Sequence, residues 1–240
     1  MSIKTKLIDD IKQFQPGTIF TYQELPTYKS APNTVVKAVS RLIKTGELRR
    51  FSKGNFYRPK SGLFGEQKPS DQEKIKTFLF RNGHRIGYIT GISLYNKLGL
   101  TTQIPMTITI AMAGSRQKKD MGTLRVNIIP SRTPVNENNQ TALEILDALN
   151  GIKKIPDTSP SDALSILRHK LNELDNRQIK MAIKLALNHY PPSTRALLGM
   201  LLDETGIEGN KLKKSLNPLS RYKIGLNCNQ WQKAREWHIS

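Results

Sequence analysis

Acidic residues are scarce in this chain. Its 240 residues hold 19 Asp and Glu against 38 Lys and Arg, a formal net charge of +19. Such an imbalance costs self-repulsion in a compact state, so it points to an anionic partner, with nucleic acid first and a membrane surface second. There is one cysteine, Cys228, which rules out an intrachain disulfide and any cysteine-built metal site. A reducing, cytoplasmic setting is the expectation. No apolar run approaches the ~18 residues of a bilayer-spanning helix, so no membrane partner of that kind is expected. The opening MSIKTKLIDDIKQF lacks the continuous apolar core of a signal peptide. The four histidines, His84, His169, His189 and His238, are scattered without ligand spacing and read as structural.

Catalytic signatures are missing as well. No Walker-type phosphate loop and no GxGxxG after a strand occurs. Nor is there an HExxH, a GxSxG or a kinase signature. Cys228 has asparagine neighbours and no histidine close by in sequence, which argues against a thiol nucleophile. The few carboxylates, such as Glu173, Asp175, Asp203 and Glu204, fall on helix surfaces rather than in pairs suited to metal-dependent phosphoryl chemistry. The expectation is a protein that is not an enzyme, with no catalytic residue, no metal site and no cofactor.

What is present concentrates near the start, where residues 1–65 carry twelve Lys and Arg against four acids. Ile3, Leu7, Ile8, Ile11 and Phe14 recur at helical spacing up to Pro16-Gly17. Ile19-Phe20 reads as a single-rung strand, and Tyr22 to Leu25 as a short helix stopped before Pro26. PNTVVKAVSRLIKTGE then predicts an amphipathic helix with Val35, Val36, Val39, Leu42 and Ile43 on one face. Thr34, Lys37, Arg41 and Lys44 lie on the other. Asn33 or Ser30 is the expected cap, with Pro32 in the first turn and Gly46 as the stop. A hairpin follows, Glu47–Phe51 and Asn55–Arg58, turned through Ser52-Lys53-Gly54.

Helix, strand, short helix, longer helix and hairpin is the order of a winged helix-turn-helix. In that arrangement the third helix enters a major groove and the hairpin lies along the neighbouring backbone or minor groove. Asn33, Thr34 and Lys37 would sit at the groove-facing end of the helix, where base edges are reached. Arg41 and Lys44 would meet phosphates. Arg49, Arg50, Lys53 and Arg58 would be the hairpin's cations, with Asn55 as a neutral donor. The alternatives are an ordinary solvated basic surface, or a protein-docking module in which Arg49, Arg50 and Lys53 are dispensable for partner binding.

Beyond this, Pro59 to Lys68 has little periodicity and reads as a junction. Ser70-Asp71-Gln72-Glu73 is a capping box opening a helix over Asp71–Arg81, ended by Asn82-Gly83. YITGISLYNKLGL reads as a loop and a short helix. PMTITIAM and LRVNIIP alternate strictly, predicting a half-buried antiparallel pair. The connecting AGSRQKKDMG, with Arg116, Lys118 and Lys119, is either a solvated tip or a second basic contact for nucleic acid. From Thr141 four apolar stripes predict a small helical bundle. The basic tail carries Trp231 and Trp237, expected to fold onto that bundle. The fold class is therefore α+β. It comprises a winged helix-turn-helix domain over residues 1–60, a linker over 61–69 and a mixed C-terminal domain over 70–206, holding a β-hairpin and the bundle. A basic tail over 207–240 has no assigned role.

Three stretches together resemble the AbiE-type antitoxins, the regulator halves of two-gene abortive-infection (type IV toxin–antitoxin) systems. They are TIFTYQEL with APNTVVKAVSRLIKTGELRRFSKGNFYRPK, then GYITGISLYNKLGLTTQIPMTITIA, then YPPSTRALLGMLLDETG. The resemblance reaches residue 206 and leaves the tail unmatched. It implies a phage-defence transcriptional repressor whose N-terminal domain binds inverted repeats of double-stranded DNA in its own promoter, as a dimer on DNA. It also implies a C-terminal region that counters a companion nucleotidyltransferase-like toxin without a stable complex.

Overall fold

A computed structural model describes residues 2–62, 65–227 and 229–240 of the chain, so Cys228 lies outside the described residues. The architecture is α+β, and its contacts divide into two compact units, residues 1–85 and 86–240.

In the first unit α1 (Ile3–Gln13) opens on Ser2, whose hydroxyl accepts from the Thr5 N–H at 3.2 Å, and it buries Leu7 and Ile11. β1 (Ile19–Thr21) and a 3-10 turn at Tyr22–Glu24 follow. The short helix expected over Tyr22–Leu25 is this 3-10 turn, and a further helix that was not expected begins at Pro26, as α2 (Pro26–Ser30). Proline's missing N–H is no loss in a first turn. Asp10 of α1 supplies the cap, accepting from the Thr27 N–H at 2.8 Å and from the Thr27 hydroxyl.

α3 (Pro32–Thr45) buries Val35, Val39 and Leu42 in a core with Leu7, Phe20, Leu25, Leu48 and Phe56. Each such burial stabilises by about 1.5–3 kcal/mol. Val36, expected on this face, is 39% exposed, because one residue step turns it about 100° from Val35. Neither Ser30 nor Asn33 caps the helix. Its N-cap is Ala31, without a side-chain hydrogen bond, while the Ser30 hydroxyl donates to the Thr27 carbonyl. Gly46 ends α3 at φ +85°, a conformation a Cβ would strain.

β2 (Arg49–Ser52) and β3 (Asn55–Tyr57) pair antiparallel, and β1 adds on the far side of β3, giving the order β1-β3-β2. β4 (Lys60–Gly62) and β5 (Gly65–Gln67) form a second small hairpin inside the expected linker, whose Leu63 and Phe64 lie outside the described residues. α4 (Asp71–Leu79) is capped by the Ser70 hydroxyl. It stops two residues earlier than expected, since β6 (Phe80–Arg81) pairs with β7 (His84–Arg85) around Asn82-Gly83. Glu73 of α4 does not complete its capping box. Its carboxylate accepts instead from the Ile19 N–H at 3.2 Å, tying α4 to β1. That tie places α4 in the first unit, and the division between units falls after Arg85 rather than at 61–69.

The second unit starts with β8 (Gly87–Thr90), where a loop was expected, and α5 (Ile92–Lys97). β9 (Thr107–Met112), β10 (Gln117–Asp120) and β11 (Arg125–Pro130) complete a sheet of order β10-β11-β9-β8. The two alternating runs were expected to pair antiparallel. They pair in parallel, Val126 beside Ile108 and Ile128 beside Ile110. Alternation specifies which face of a strand is buried, not the direction of its neighbour. Here the connecting segment is long enough to form β10, which returns one strand-width away and pairs antiparallel with β11. β11 then enters the slot beside β9.

The helices are α6 (Gln140–Asn150), α7 (Pro160–Asn172), α8 (Asn176–His189), α9 (Pro192–Glu204) and α10 (Asn210–Lys214). α9 is buried along almost its whole length. The chain beyond it packs onto this bundle, with Trp231 and Trp237 1% and 0% exposed. Among the described residues no helix is long and apolar enough to cross a membrane.

Candidate nucleic-acid interface

Burial of Val35, Val39 and Leu42 fixes which side of α3 faces water. The exposed line runs through Asn33, Lys37, Ser40 and Lys44, with Thr34 and Arg41 exposed on one flank. Thr34, Lys37 and Arg41 border a groove of about 300 Å³ between α1 and α3, floored by Leu7, Ala38 and Leu42 and joined by Lys4 of α1. Lys37, Arg41 and Lys44 form no ion pair and no hydrogen bond among the described residues. Unpaired, solvated cations on one face make an electrostatic footprint suited to phosphates.

The β2–β3 hairpin turns through Lys53 and Gly54, and its cations divide into two kinds. Arg50 and Lys53 are exposed, without an ion pair or hydrogen bond of their own among the described residues. Arg50 lies close enough to Tyr22 to pull its phenol down, though burial outweighs this and leaves the Tyr22 pKa raised. Arg49, Arg58 and Asn55 are engaged within the chain. Arg49 makes a two-pronged contact with Glu66 of β5, donating from Nε and Nη2 at 2.8–3.1 Å. Arg58 donates from Nη1 to the carbonyls of Lys12 and Phe14, closing the C-terminal end of α1. Asn55 holds the turn, donating to the Ser52 hydroxyl at 2.9 Å. Of the ten residues named from the sequence, seven therefore present unengaged side chains, and these three stabilise the fold around them.

Glu66 is the residue that sequence reasoning missed here. It lies in an apparent junction with no periodic signal, and only the β4–β5 hairpin brings it to Arg49. The pair is roughly 40% exposed on both sides, so it contributes at most about 1 kcal/mol.

Among the described residues no group of three or more His, Cys, Asp or Glu side chains is placed to hold a metal ion.

No curated protein matches the chain. Among solved structures, the crystal structure of the RV2827C protein from Mycobacterium tuberculosis is similar over 96% of this chain and 90% of that one, with a TM-score of 0.49 and 13% identity. Residues 6–174 match the family described as "Family of unknown function (DUF6088)", more than half of the chain, and the chain belongs to that family.

Proposed function

We propose that the first unit is a winged helix-turn-helix that binds double-stranded DNA, and that the protein is a transcriptional autorepressor of the AbiE antitoxin type. The observation that carries the DNA half is the set of unengaged cations on two adjoining elements, Lys37, Arg41 and Lys44 on α3 and Arg50 and Lys53 on the hairpin. In this reading α3 enters the major groove, with Asn33 and Lys37 near base edges. Arg41 and Lys44 meet backbone phosphates, and Arg50 and Lys53 hold the adjacent backbone. The antitoxin half, which counters a nucleotidyltransferase-like toxin through the second unit, rests on the resemblance of the three quoted stretches.

The test is fluorescence anisotropy of the full chain on its own upstream duplex and on a scrambled one, near physiological salt. Strong preference for the native duplex is expected. Lys37→Ala relaxes that preference, at about 1–3 kcal/mol for a lost base contact. Arg50→Ala or Lys53→Ala weakens both duplexes alike and lowers the salt slope by about one. Equal affinity for the two duplexes, or a Lys37→Ala profile identical to the hairpin variants, would remove α3 as a reading helix. A nucleotidyltransferase-like reading frame beside this one, with growth arrest relieved by co-expression, tests the antitoxin half separately.

A further inference from the structure

The second unit contains a polar cavity of about 440 Å³ that the DNA-binding reading does not use. Its floor is built around Asp147 of α6. One carboxylate oxygen accepts from the Tyr88 hydroxyl at 2.8 Å and the Thr90 hydroxyl at 2.7 Å, and the other accepts from the Tyr190 hydroxyl at 2.8 Å. Both oxygens are thereby committed to the protein. Arg116, Arg132 and Lys154 line the same cavity, so it holds three cations and one carboxylate that is already satisfied.

Arg132 is held in place. Its guanidinium lies 4.5 Å above the Tyr190 ring, and Nη1 donates to the His189 carbonyl at 3.1 Å. The remaining donors of its fork are unassigned. Arg116 and Lys154 are exposed and make no ion pair or hydrogen bond among the described residues. Tyr95 also lines the cavity, its hydroxyl without a hydrogen bond among the described residues. A Cβ at Gly151 would overlap that hydroxyl, so only glycine lets the phenol reach this position. A fixed guanidinium flanked by two free cations is a phosphate-recognition arrangement.

We propose that this cavity binds a nucleoside phosphate. The phosphate sits among Arg116, Arg132 and Lys154, and the nucleoside enters toward Tyr95 and Asn150. The volume decides against bare phosphate, since it falls in the range of about 300–1,000 Å³ typical of small-molecule sites. The shape decides against a nucleic-acid strand, which needs a cationic groove that tracks the backbone with stacking aromatics along it. Here the three cations line a single cavity.

Isothermal titration calorimetry of the full chain with AMP, ATP and inorganic phosphate tests the assignment. Arg116→Glu and Lys154→Glu reverse charges that nothing in the fold relies on, and Lys180→Glu at an exposed position of α8 outside the cavity serves as the control. One AMP or ATP per chain is expected, at least about tenfold tighter than inorganic phosphate. Each rim reversal should weaken it about tenfold or more, Tyr95→Phe should weaken AMP but not phosphate, and Lys180→Glu should leave it unchanged. Absence of saturable binding by AMP and ATP overturns the proposal, as does affinity unchanged in both rim variants. Inorganic phosphate matching AMP removes the nucleoside from it. A 5′-phosphorylated oligonucleotide that binds far more tightly than AMP through the same residues replaces the small molecule by a nucleic-acid end.

Discussion

Tyr88 and Tyr190 are the residues whose ordinary chemistry the fold changes most. Burial is the first cause and the adjacent Asp147 carboxylate the second, and both push the two phenols well above the usual tyrosine value. The neutral phenol is the form the fold favours. The stability it contributes is therefore complete below about pH 10, the unfolded value, and is lost only as pH climbs through the higher folded value. Ultraviolet phenolate absorbance during an alkaline titration should show fewer than the seven tyrosines ionising near pH 10. The missing ones should appear together with loss of helical circular dichroism. Ionisation of all seven before any unfolding would show that Asp147 does not hold these hydroxyls. The same carboxylate ties the cavity floor together, because two hydroxyls from β8, Tyr88 and Thr90, and that of Tyr190 at the end of α8 all donate to it.

At the scale of elements, α2 is five residues long and has no cap from its own N-cap residue, Leu25. A helix this short is not stable by propensity, so its geometry depends on Asp10 reaching across from α1. Asp10→Ala should cost about 1 kcal/mol, in the range of N-cap losses, read by urea denaturation. It should also weaken DNA binding more than the loss of one remote charge explains, since α2 leads directly into α3. Stability and affinity both unchanged would mean that packing by Leu25 alone positions α2. The β2–β3 hairpin shows the same dependence between elements. Arg49 is turned toward Glu66 of β5, which leaves Arg50 and Lys53 as the cations facing outward.

For the whole molecule, the segment after α9 is part of the second unit's core. Trp237 donates from Nε1 to Asp203 at 2.9 Å, and the Gly209 N–H donates to the other oxygen of the same carboxylate at 3.2 Å. Asp203, expected on a solvated helix surface, thus anchors the tail. The six-membered ring of the indole lies against Gly199 of α9, where any Cβ would overlap it. Gly199→Ala should destabilise the protein by about 1–3 kcal/mol through overpacking and shift tryptophan emission to the red. An unshifted spectrum and unchanged melting temperature would show that the tail is not docked there. The described cations of this tail therefore belong to a segment packed on the bundle through Trp231, Ala234, Trp237 and Ile239.

The extent of α3, the stop at Gly46, the cap at Ser70 and the four apolar stripes of the bundle were legible from residue order alone. Each is set by contacts within a few positions along the chain: a 3.6-residue period, a left-handed glycine, a hydroxyl three residues from an N–H. The unengaged cations of α3 were legible for the same reason, since burying one helix face exposes the other. Tertiary structure decided the rest. Whether β9 and β11 run parallel depends on where β10 settles, which no alternation pattern encodes. Arg58 and Lys53 look alike in sequence, yet one closes α1 from 44 positions away at Phe14 and the other's side chain has no partner among the described residues. Asp147 meets Tyr88 and Tyr190 across separations of 59 and 43 residues. Those contacts arise only once the sheet and bundle have packed.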